Sequence, residues 1–201
     1  PILLYGKKIE NNNCLKIYHG PPGTGKTYTL IKELKNIIPL LKGNILICAP
    51  SNIGVINLYN RAVSMGIYGR LIINSEYSDN VDNLSEEIKI NKKIYFSTIS
   101  MRSGRKLDSI VFNTIMVDEA AQCPESSIWG LLRKSVTKLY LAGDHKQLPA
   151  LVSDKGSKME FGRSIMQRLI DLGVEMELLD IQRRMHPTIA EFSNKEYYDG
   201  K

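Results

Sequence analysis

The octapeptide GPPGTGKT, residues 20–27, carries the strongest indication of fold in this chain. It matches the phosphate-binding pattern G-x-x-x-x-G-K-[ST] at every fixed position. An apolar, strand-like run precedes it at 15–18, and helical periodicity follows it at 28–37. The alternative interpretation is a Gly/Pro turn that matches by chance, and the flanking strand and helix disfavour it. The pattern therefore predicts a loop that binds a nucleoside triphosphate.

The residue types of this loop suit that chemistry. Glycines let the backbone turn tightly round an anion with its N–H groups pointing inward. Lys26 supplies a mobile positive charge for the β- and γ-phosphates, and Thr27 supplies a hydroxyl for Mg²⁺. We therefore expect ATP and Mg²⁺ as cofactors.

Composition indicates a soluble globular chain, with 201 residues, 43% apolar and 24% charged, and we predict one domain over residues 1–201. No apolar run approaches the roughly 20 residues that span a bilayer, and no signal-peptide pattern opens the chain. We therefore expect no membrane partner and an intracellular location, cytoplasmic or nuclear. The lone cysteines Cys14, Cys48 and Cys123 form no CxxC pair, which argues against a zinc site.

The net charge of +6 favours a polyanionic partner. Several basic residues fall close together in the middle of the chain, where they form either a solvated face or a nucleic-acid-binding surface. They are Lys89, Lys92, Lys93, Arg102, Arg105 and Lys106.

Strands alternate with helices along the sequence, which predicts an α/β fold with a parallel sheet. Predicted strands cover 15–18, 45–49, 71–73, 93–98, 114–117, 138–142 and 177–179. Predicted helices cover 28–37, 53–65 and 162–172. Residues 74–91 are polar and acidic, and we expect an excursion from the core there.

Polar residues follow the carboxyl ends of the predicted strands, where ligands of parallel sheets bind. Asp118 and Glu119 end one strand, which suits Mg²⁺ coordination by the first and orientation of the attacking water by the second. After the next strand, Gln147 is placed to contact the γ-phosphate and Asp144 to relay its presence. Later in the chain stand two adjacent guanidiniums, Arg183 and Arg184, which suit phosphate.

Taken together, these motifs resemble a known family. In order, the chain carries GPPGTGKT, APSN (49–52), STIS (97–100), DEAAQ (118–122), GDHKQLP (143–149) and QRRMHP (182–187). This series is similar to the first RecA-like domain of superfamily 1 helicases of the Upf-like group, from about Leu15 to Lys201. The resemblance implies a RecA-like P-loop NTPase fold and an ATP-driven motor that moves 5′ to 3′ on single-stranded RNA or DNA.

The resemblance also implies roles for particular residues. Lys26, Glu119, Gln147 and Arg184 would act in catalysis, and Thr27 and Asp118 would hold the metal. Ser51, Asn52 and Thr98 would contact the nucleic-acid backbone, which does not distinguish RNA from DNA. The residues predicted to contact the nucleotide are Gly20, Pro21, Pro22, Gly23, Thr24, Gly25, Lys26, Thr27, Tyr28, Asp144 and Arg183.

The chain departs from the family pattern at several places. Residues 1–19 contain no Gln to recognise adenine, and Arg183 replaces an aromatic residue that would flank the nucleotide. The stretch from Asn52 to Thr98 is too short for a large inserted domain. The second RecA-like domain, with its arginine finger, is absent from this chain. Such an arginine is worth roughly 10³–10⁵ in rate, so we expect a monomer that binds nucleotide but hydrolyses it poorly.

Two other functions fit the phosphate-binding loop. One is a non-motor module that binds nucleic acid or a protein in a nucleotide-dependent way, which the intact Lys26, Asp118 and Glu119 disfavour. The other is a P-loop kinase or another small NTPase, which the DEAA and RMHP motifs disfavour.

Overall fold

The computed structural model describes residues 14–73, 91, 93–198 and 200. The strands are β1 (Leu15–His19), β2 (Asn44–Ala49), β3 (Arg70–Ile72), β4 (Ile94–Thr98), β5 (Phe112–Val117), β6 (Lys138–Gly143) and β7 (Glu177–Leu178). The helices are α1 (Lys26–Ile37), α2 (Asn52–Ser64), α3 (Glu125–Trp129), α4 (Asp154–Lys158), α5 (Ile165–Asp171) and α6 (Pro187–Tyr197).

The strands form one sheet in the order β3-β4-β2-β5-β6-β1-β7, and every pairing is parallel. The predicted parallel α/β sheet is thereby confirmed. Parallel strands need helical crossovers that cover the faces of the sheet, so most of the strands are buried on both sides.

Side chains alternate between two apolar cores, one on each face of the sheet. In β2, Leu46 and Cys48 belong to one core while Ile45 and Ile47 belong to the other. All four have an exposed fraction of 0%. Burial on both faces explains the continuous apolar run in this strand, since neither side of it meets water.

Helix α1 lies over the sheet with the apolar face that its periodicity predicts. Leu30, Ile31 and Leu34 are fully buried in the same core as Tyr18 of β1. The helix ends at Ile37 and is followed by a short 3-10 turn (Ile38–Leu40) that contains Pro39. Since α1 follows the phosphate-binding loop directly, this packing fixes the loop against the end of β1.

Each predicted strand and helix is present, with shifted bounds. Helix α5 is shorter than predicted because Ser164 caps it, accepting a hydrogen bond from the N–H of Gln167 at 3.2 Å. Helices α3 and α4, of five residues each, are too short for periodicity to show. Helix α6 was not predicted, since it buries no residue of its own and carries no clear apolar stripe.

Two further sequence predictions touch this description. The predicted excursion at 74–91 lies outside the described residues, except for Asn91. Among the helices that the structure describes, none has the length and apolar character needed to cross a bilayer.

Candidate nucleotide-binding site

The carboxyl ends of three strands bring the predicted site together. His19 of β1 is in register with Gly143 of β6, and β5 lies on the other side of β6. The phosphate-binding loop, the pair Asp118-Glu119 and the segment 144–147 therefore leave the sheet side by side. This is the edge at which parallel sheets bind ligands.

The phosphate-binding loop needs glycine at Gly23 and Gly25. Their φ angles are +81° and +86°, in the left-handed region that other residues rarely adopt. At Gly23, an added Cβ would also lie 2.0 Å from Oε1 of Gln182. A side chain at this position would displace Gln182 and open the loop.

Lys26 is buried beneath the loop and holds its backbone. Its ammonium donates hydrogen bonds to the carbonyl oxygens of Gly20 at 2.8 Å and Pro21 at 3.0 Å. Burial lowers the pKa of Lys26, and the nearby carboxylates of Glu119, Asp144 and Asp118 oppose that shift. The ammonium is thus positioned to bind an anion that enters the loop.

Thr27 and Asp118 are joined directly. The Thr27 hydroxyl donates to Oδ2 of Asp118 at 2.6 Å, and Oδ1 accepts from the N–H of Glu119 at 3.0 Å. Burial raises the pKa of Asp118 to about 6, although the hydrogen bond from Thr27 opposes the shift. A hydroxyl and a buried carboxylate in contact form an oxygen-ligand pair that suits a hard divalent cation, so the residues present fit Mg²⁺.

Glu119 adopts a left-handed backbone conformation, with φ of 51° and ψ of 38°. This conformation is uncommon for a residue with a side chain and costs on the order of 1 kcal/mol. Its Oε2 accepts a hydrogen bond from Gln122 at 3.0 Å. The turn presents the Glu119 carboxylate to the same cavity as Lys26, where it can act on a water molecule.

Asp144 is almost fully buried and surrounded by donors. Oδ2 accepts from Gln147 at 3.0 Å and from the hydroxyl of Tyr198 at 2.5 Å, while Oδ1 accepts from the N–H of Lys146 at 3.1 Å and lies 3.4 Å from Nε2 of His19. Burial by itself would raise the pKa of Asp144. These hydrogen bonds outweigh it and hold the pKa well below its usual range.

His145 completes this group. Its Nδ1 lies 2.8 Å from Nε2 of His19, so the two imidazoles share one hydrogen bond. Burial, together with the neighbouring His19, lowers the pKa of His145. The end of β6 is therefore tied to the end of β1 immediately before the phosphate-binding loop.

Gln182 is a bracing residue that the sequence analysis did not assign to the site. Its amide donates to the carbonyl of Pro22, and its Oε1 accepts from the N–H groups of Arg184 at 2.7 Å and Met185 at 3.2 Å. The N–H of Arg183 donates to the carbonyl of Gly23 at 2.9 Å. These bonds fix the QRRMHP segment against the phosphate-binding loop.

These elements surround a cavity of about 570 Å³, a size within the usual range of small-molecule sites. The structure brings together around it a large part of the predicted set: Pro22, Gly23, Gly25, Lys26, Thr27, Tyr28, Asp118, Glu119, Gln147 and Arg184. In the described part of the chain, the predicted residues Gly20, Pro21, Thr24, Asp144 and Arg183 do not line this cavity. Asp144 contacts it through Gln147. The backbone of Gly20, Pro21 and Arg183 supports the loop, and the Thr24 hydroxyl donates to the carbonyl of Pro21 at 2.8 Å.

One wall of the cavity comes from α2 and was not predicted. Asn57, Asn60, Arg61 and Ser64 line it, and their spacing of three and four residues places them on one helix face. That spacing was the available signal in the sequence. It was uninformative alone, because a polar helix face usually meets only solvent.

The predicted nucleic-acid contacts are only partly available. The Ser51 hydroxyl is exposed, but it caps α2 by accepting from the N–H of Gly54 at 3.0 Å. Thr98 is only 4% exposed and its hydroxyl lies 3.1 Å from that of Ser100. The prediction of a direct contact by Thr98 is corrected, since the neighbouring Ser100 presents the exposed hydroxyl. Asn52 is half-buried, and among the described residues its buried Oδ1 has no hydrogen-bond partner.

The predicted basic surface also needs a correction at Arg102. This side chain is 2% exposed, its guanidinium donates to the carbonyls of Leu107 and Ile110, and it lies 4.9 Å from the centre of the Phe112 ring. Arg102 is therefore a core residue. Lys93, Arg105 and Lys106 are exposed, and Lys89 and Lys92 lie outside the described residues.

Family matches agree with this geometry. The family described as "AAA domain" matches residues 6–80 and 69–155, and a second family with the same description matches 161–201. The chain belongs to the AAA domain family. The first match includes the loop, the pair Thr27 and Asp118, and the Gln147 segment, and the second match includes Arg184.

Curated relatives refine this assignment. The chain is 27% identical to "Regulator of nonsense transcripts 1" of Caenorhabditis elegans, over 92% of this chain and 22% of that protein. It is 27% identical to "ATP-dependent helicase NAM7" of Saccharomyces cerevisiae, over 92% and 24%. It is 29% identical to "DNA polymerase alpha-associated DNA helicase A" of Schizosaccharomyces pombe, over 93% and 37%. The chain thus spans about a quarter to two fifths of these relatives, and the resemblance to Upf-like superfamily 1 helicase domains is confirmed.

Solved structures confirm the fold. Arterivirus nonstructural protein 10, a helicase in complex with DNA, superposes with a TM-score of 0.60 at 16% identity, over 90% of this chain and 40% of that chain. The Pif1 helicase of Candida albicans has a TM-score of 0.51 at 13% identity, over 90% and 40%. The predicted RecA-like P-loop NTPase fold is therefore confirmed.

Proposed function

We propose that this chain is the first RecA-like half of a motor that binds ATP with Mg²⁺ and hydrolyses it to move 5′ to 3′ on single-stranded RNA or DNA. The observation that carries the proposal is the convergence of Lys26, the Thr27–Asp118 pair and Glu119 on one cavity at the carboxyl edge of the sheet. A kinase would also use Lys26, Thr27 and Asp118. The Glu119 carboxylate and the Gln147–Asp144 pair are what water activation and γ-phosphate sensing require.

Each of these side chains has a definite task. Lys26 exchanges its two carbonyl acceptors for phosphate oxygens, and Thr27 with Asp118 would hold Mg²⁺. When bound, the ion would supply positive charge next to the phosphates. Glu119 orients a water molecule and accepts its proton, while Gln147 and Arg184 bind γ-phosphate oxygens.

A nucleic-acid strand is proposed to cross the same edge of the sheet, over the ends of β2 and β4. Ser51, Asn52 and Ser100 stand there, and short hydroxyl and amide side chains suit contacts to phosphate and sugar. The exposed Arg105 and Lys106, which follow the end of β4 in the chain, supply positive charge. The partner is therefore single-stranded RNA or DNA, bound mainly through its backbone.

Hydrolysis is proposed to require a second RecA-like domain of the same motor. Arg184 is the one arginine of the QRRMHP segment that lines the described cavity. A further arginine from a facing domain would complete the charge around the γ-phosphate. We therefore expect this chain, as an intracellular monomer without a membrane partner, to bind ATP and to hydrolyse it slowly.

The test is ATP hydrolysis by this chain, with and without single-stranded RNA or DNA, beside a Lys26→Ala control. We expect Mg²⁺-dependent ATP binding that Lys26→Ala removes, and turnover that remains low with either polymer. Rapid, polymer-stimulated turnover by the chain alone would contradict the requirement for a second domain. Transfer of phosphate to a small acceptor would contradict the motor function itself.

Direction of movement needs a separate measurement. A motor containing this chain and a second RecA-like domain should displace streptavidin from the 3′ end of a biotinylated oligonucleotide. Displacement from the 5′ end alone would reverse the proposed direction. ATP-dependent binding of the strand without displacement would favour the non-motor binding module.

A further inference from the structure

Tyr198 anchors the end of α6 to the edge of the sheet. Helix α6 buries none of its own residues, and Ile189 and Phe192 are 67% and 72% exposed. Tyr198, immediately after the helix, is only 9% exposed. Its N–H still donates to the carbonyl of Asn194 at 2.9 Å, so it continues the last turn. Movement at Tyr198 is therefore movement of the helix.

Tyr198 and Gln147 share one acceptor atom. The Tyr198 hydroxyl donates to Oδ2 of Asp144 at 2.5 Å, and the Gln147 amide donates to the same oxygen at 3.0 Å. Asp144 has an exposed fraction of 1%, so water does not replace either donor. Hydrogen bonds that converge on one buried charge depend on one another. A change in the Gln147 hydrogen bond therefore alters the strength of the Tyr198 hydrogen bond.

Lys146 adds two contacts between the same segments. Its ammonium donates to the backbone carbonyl of Tyr197 and lies 5.5 Å from the centre of the Tyr198 ring. Residues 144–147 thus contact the end of α6 through the Asp144 carboxylate and the Lys146 ammonium. Helix α6 begins at Pro187, three residues after Arg184.

We propose that Tyr198 is a positioning residue, which holds Asp144 and Gln147 in place for the γ-phosphate and transmits the presence of that phosphate to α6. The proposal rests on the function proposed above. When the Gln147 side chain rotates toward a γ-phosphate oxygen, its NH2 group moves away from Oδ2, and Asp144 loses a donor. The Tyr198 hydroxyl then becomes the principal side-chain donor to Oδ2, and the end of α6 is drawn more tightly to the sheet. By linkage, a firmly seated Tyr198 in turn favours nucleotides that carry a γ-phosphate.

The test compares the chain with Tyr198→Phe, which removes only the hydroxyl and keeps the ring beside Lys146. The matched control is Tyr197→Phe, the same change one residue earlier at a side chain that is 55% exposed. Two quantities are measured: the ratio of affinities for a non-hydrolysable ATP analogue and for ADP, and hydrogen exchange of α6 amides with each nucleotide. Lys26→Ala and Gln147→Ala report separately on the site.

We expect Tyr198→Phe to reduce the preference for the triphosphate by about fivefold, the lower end of typical coupling between sites, with ADP affinity unchanged. The exchange of α6 amides should be slower with the analogue than with ADP in the parent chain and in Tyr197→Phe, and equal in Tyr198→Phe. A purely structural role would weaken both nucleotides alike, and that result would overturn the proposal.

Other outcomes separate this proposal from the proposed function. If Gln147→Ala lowers the triphosphate preference while Tyr198→Phe leaves it and the α6 exchange unchanged, the positioning role is wrong and the nucleotide site stands. If the parent chain and Lys26→Ala bind the analogue equally, the proposed function fails, and the positioning role fails with it.

Discussion

The Thr27 hydroxyl donates a 2.6 Å hydrogen bond to Oδ2 of Asp118, although 91 positions separate the two residues in the chain. The parallel sheet produces this contact, because β1 and β5 both flank β6 and end at the same edge. The pair is where we propose that Mg²⁺ binds, since a hydroxyl and a carboxylate are oxygen ligands that suit this ion.

Replacing Asp118 by Asn should remove the Mg²⁺ dependence of nucleotide binding. The substitution keeps the shape of the side chain but removes the negative charge that attracts the cation. We expect Mg²⁺ to raise the affinity of the parent chain for an ATP analogue. In the variant, the factor by which Mg²⁺ raises this affinity should be at least about tenfold smaller. Titration calorimetry with and without Mg²⁺ measures it, with the exposed Asp154→Asn as control. Equal Mg²⁺ effects in both variants would refute the metal role.

Glycine at position 119 should stabilise the fold while it abolishes hydrolysis. The left-handed φ of Glu119 is unfavourable for a residue with a side chain. We expect Glu119→Gly to raise the free energy of unfolding by about 0.5–1 kcal/mol in urea denaturation. Glu160, also at positive φ but exposed, is the matched control, and Glu160→Gly should stabilise equally without any effect on the nucleotide. A destabilised Glu119→Gly would show that its side-chain contacts outweigh the backbone strain.

Arg102 should behave as a core residue. Arg102→Leu leaves the carbonyls of Leu107 and Ile110 without their buried donor, so we expect a loss of about 2–3 kcal/mol in the free energy of unfolding. Arg105→Leu, at an exposed position, should change it by less than about 0.5 kcal/mol and weaken binding of single-stranded RNA at low salt. The reverse pattern in chemical denaturation would restore Arg102 to the basic surface.

Asp144 should contribute stability that depends on pH. Its pKa is held below the usual range, so the folded state keeps the carboxylate charged more readily than the unfolded chain does. That contribution is complete above the ordinary Asp pKa of about 3.9 and is lost as the pH falls toward the folded-state pKa. We expect Asp144→Asn to cost about 2 kcal/mol near pH 7, and the difference from the parent chain to shrink near pH 3. A difference that is constant or grows with acid would contradict this.

The sequence was sufficient for the parts of the site that depend on local patterns. The loop at 20–27 and the carboxylates at 118 and 119 each follow an apolar strand, and strands that alternate with helices form parallel sheets. Parallel strands end at one edge, so these groups meet without further information. Gln147 was predicted correctly for the same reason, since it lies shortly after the end of β6 and lines the cavity.

The parts that depend on packing between elements could not be read from the sequence. Asn57 and Arg61 line the cavity only because α2 lies beside α1, and Gln182 braces the loop only because its segment returns to Pro22. Charge alone does not reveal burial, and Arg102 was misassigned because two carbonyls accept hydrogen bonds from its terminal nitrogens inside the core and the Phe112 ring packs against it. Thr98 is the last residue of β4, and it is buried because β4 lies between β3 and β2 in the sheet.

The central claim is that the loop at 20–27 binds the phosphates of ATP through Lys26. Calorimetric titration of ATP with Mg²⁺ into the parent chain, Lys26→Ala and the exposed Lys32→Ala on the same helix tests it directly. The account predicts binding by the parent chain and by Lys32→Ala, and none by Lys26→Ala. Equal binding by all three chains, or no binding by the parent chain, would contradict it.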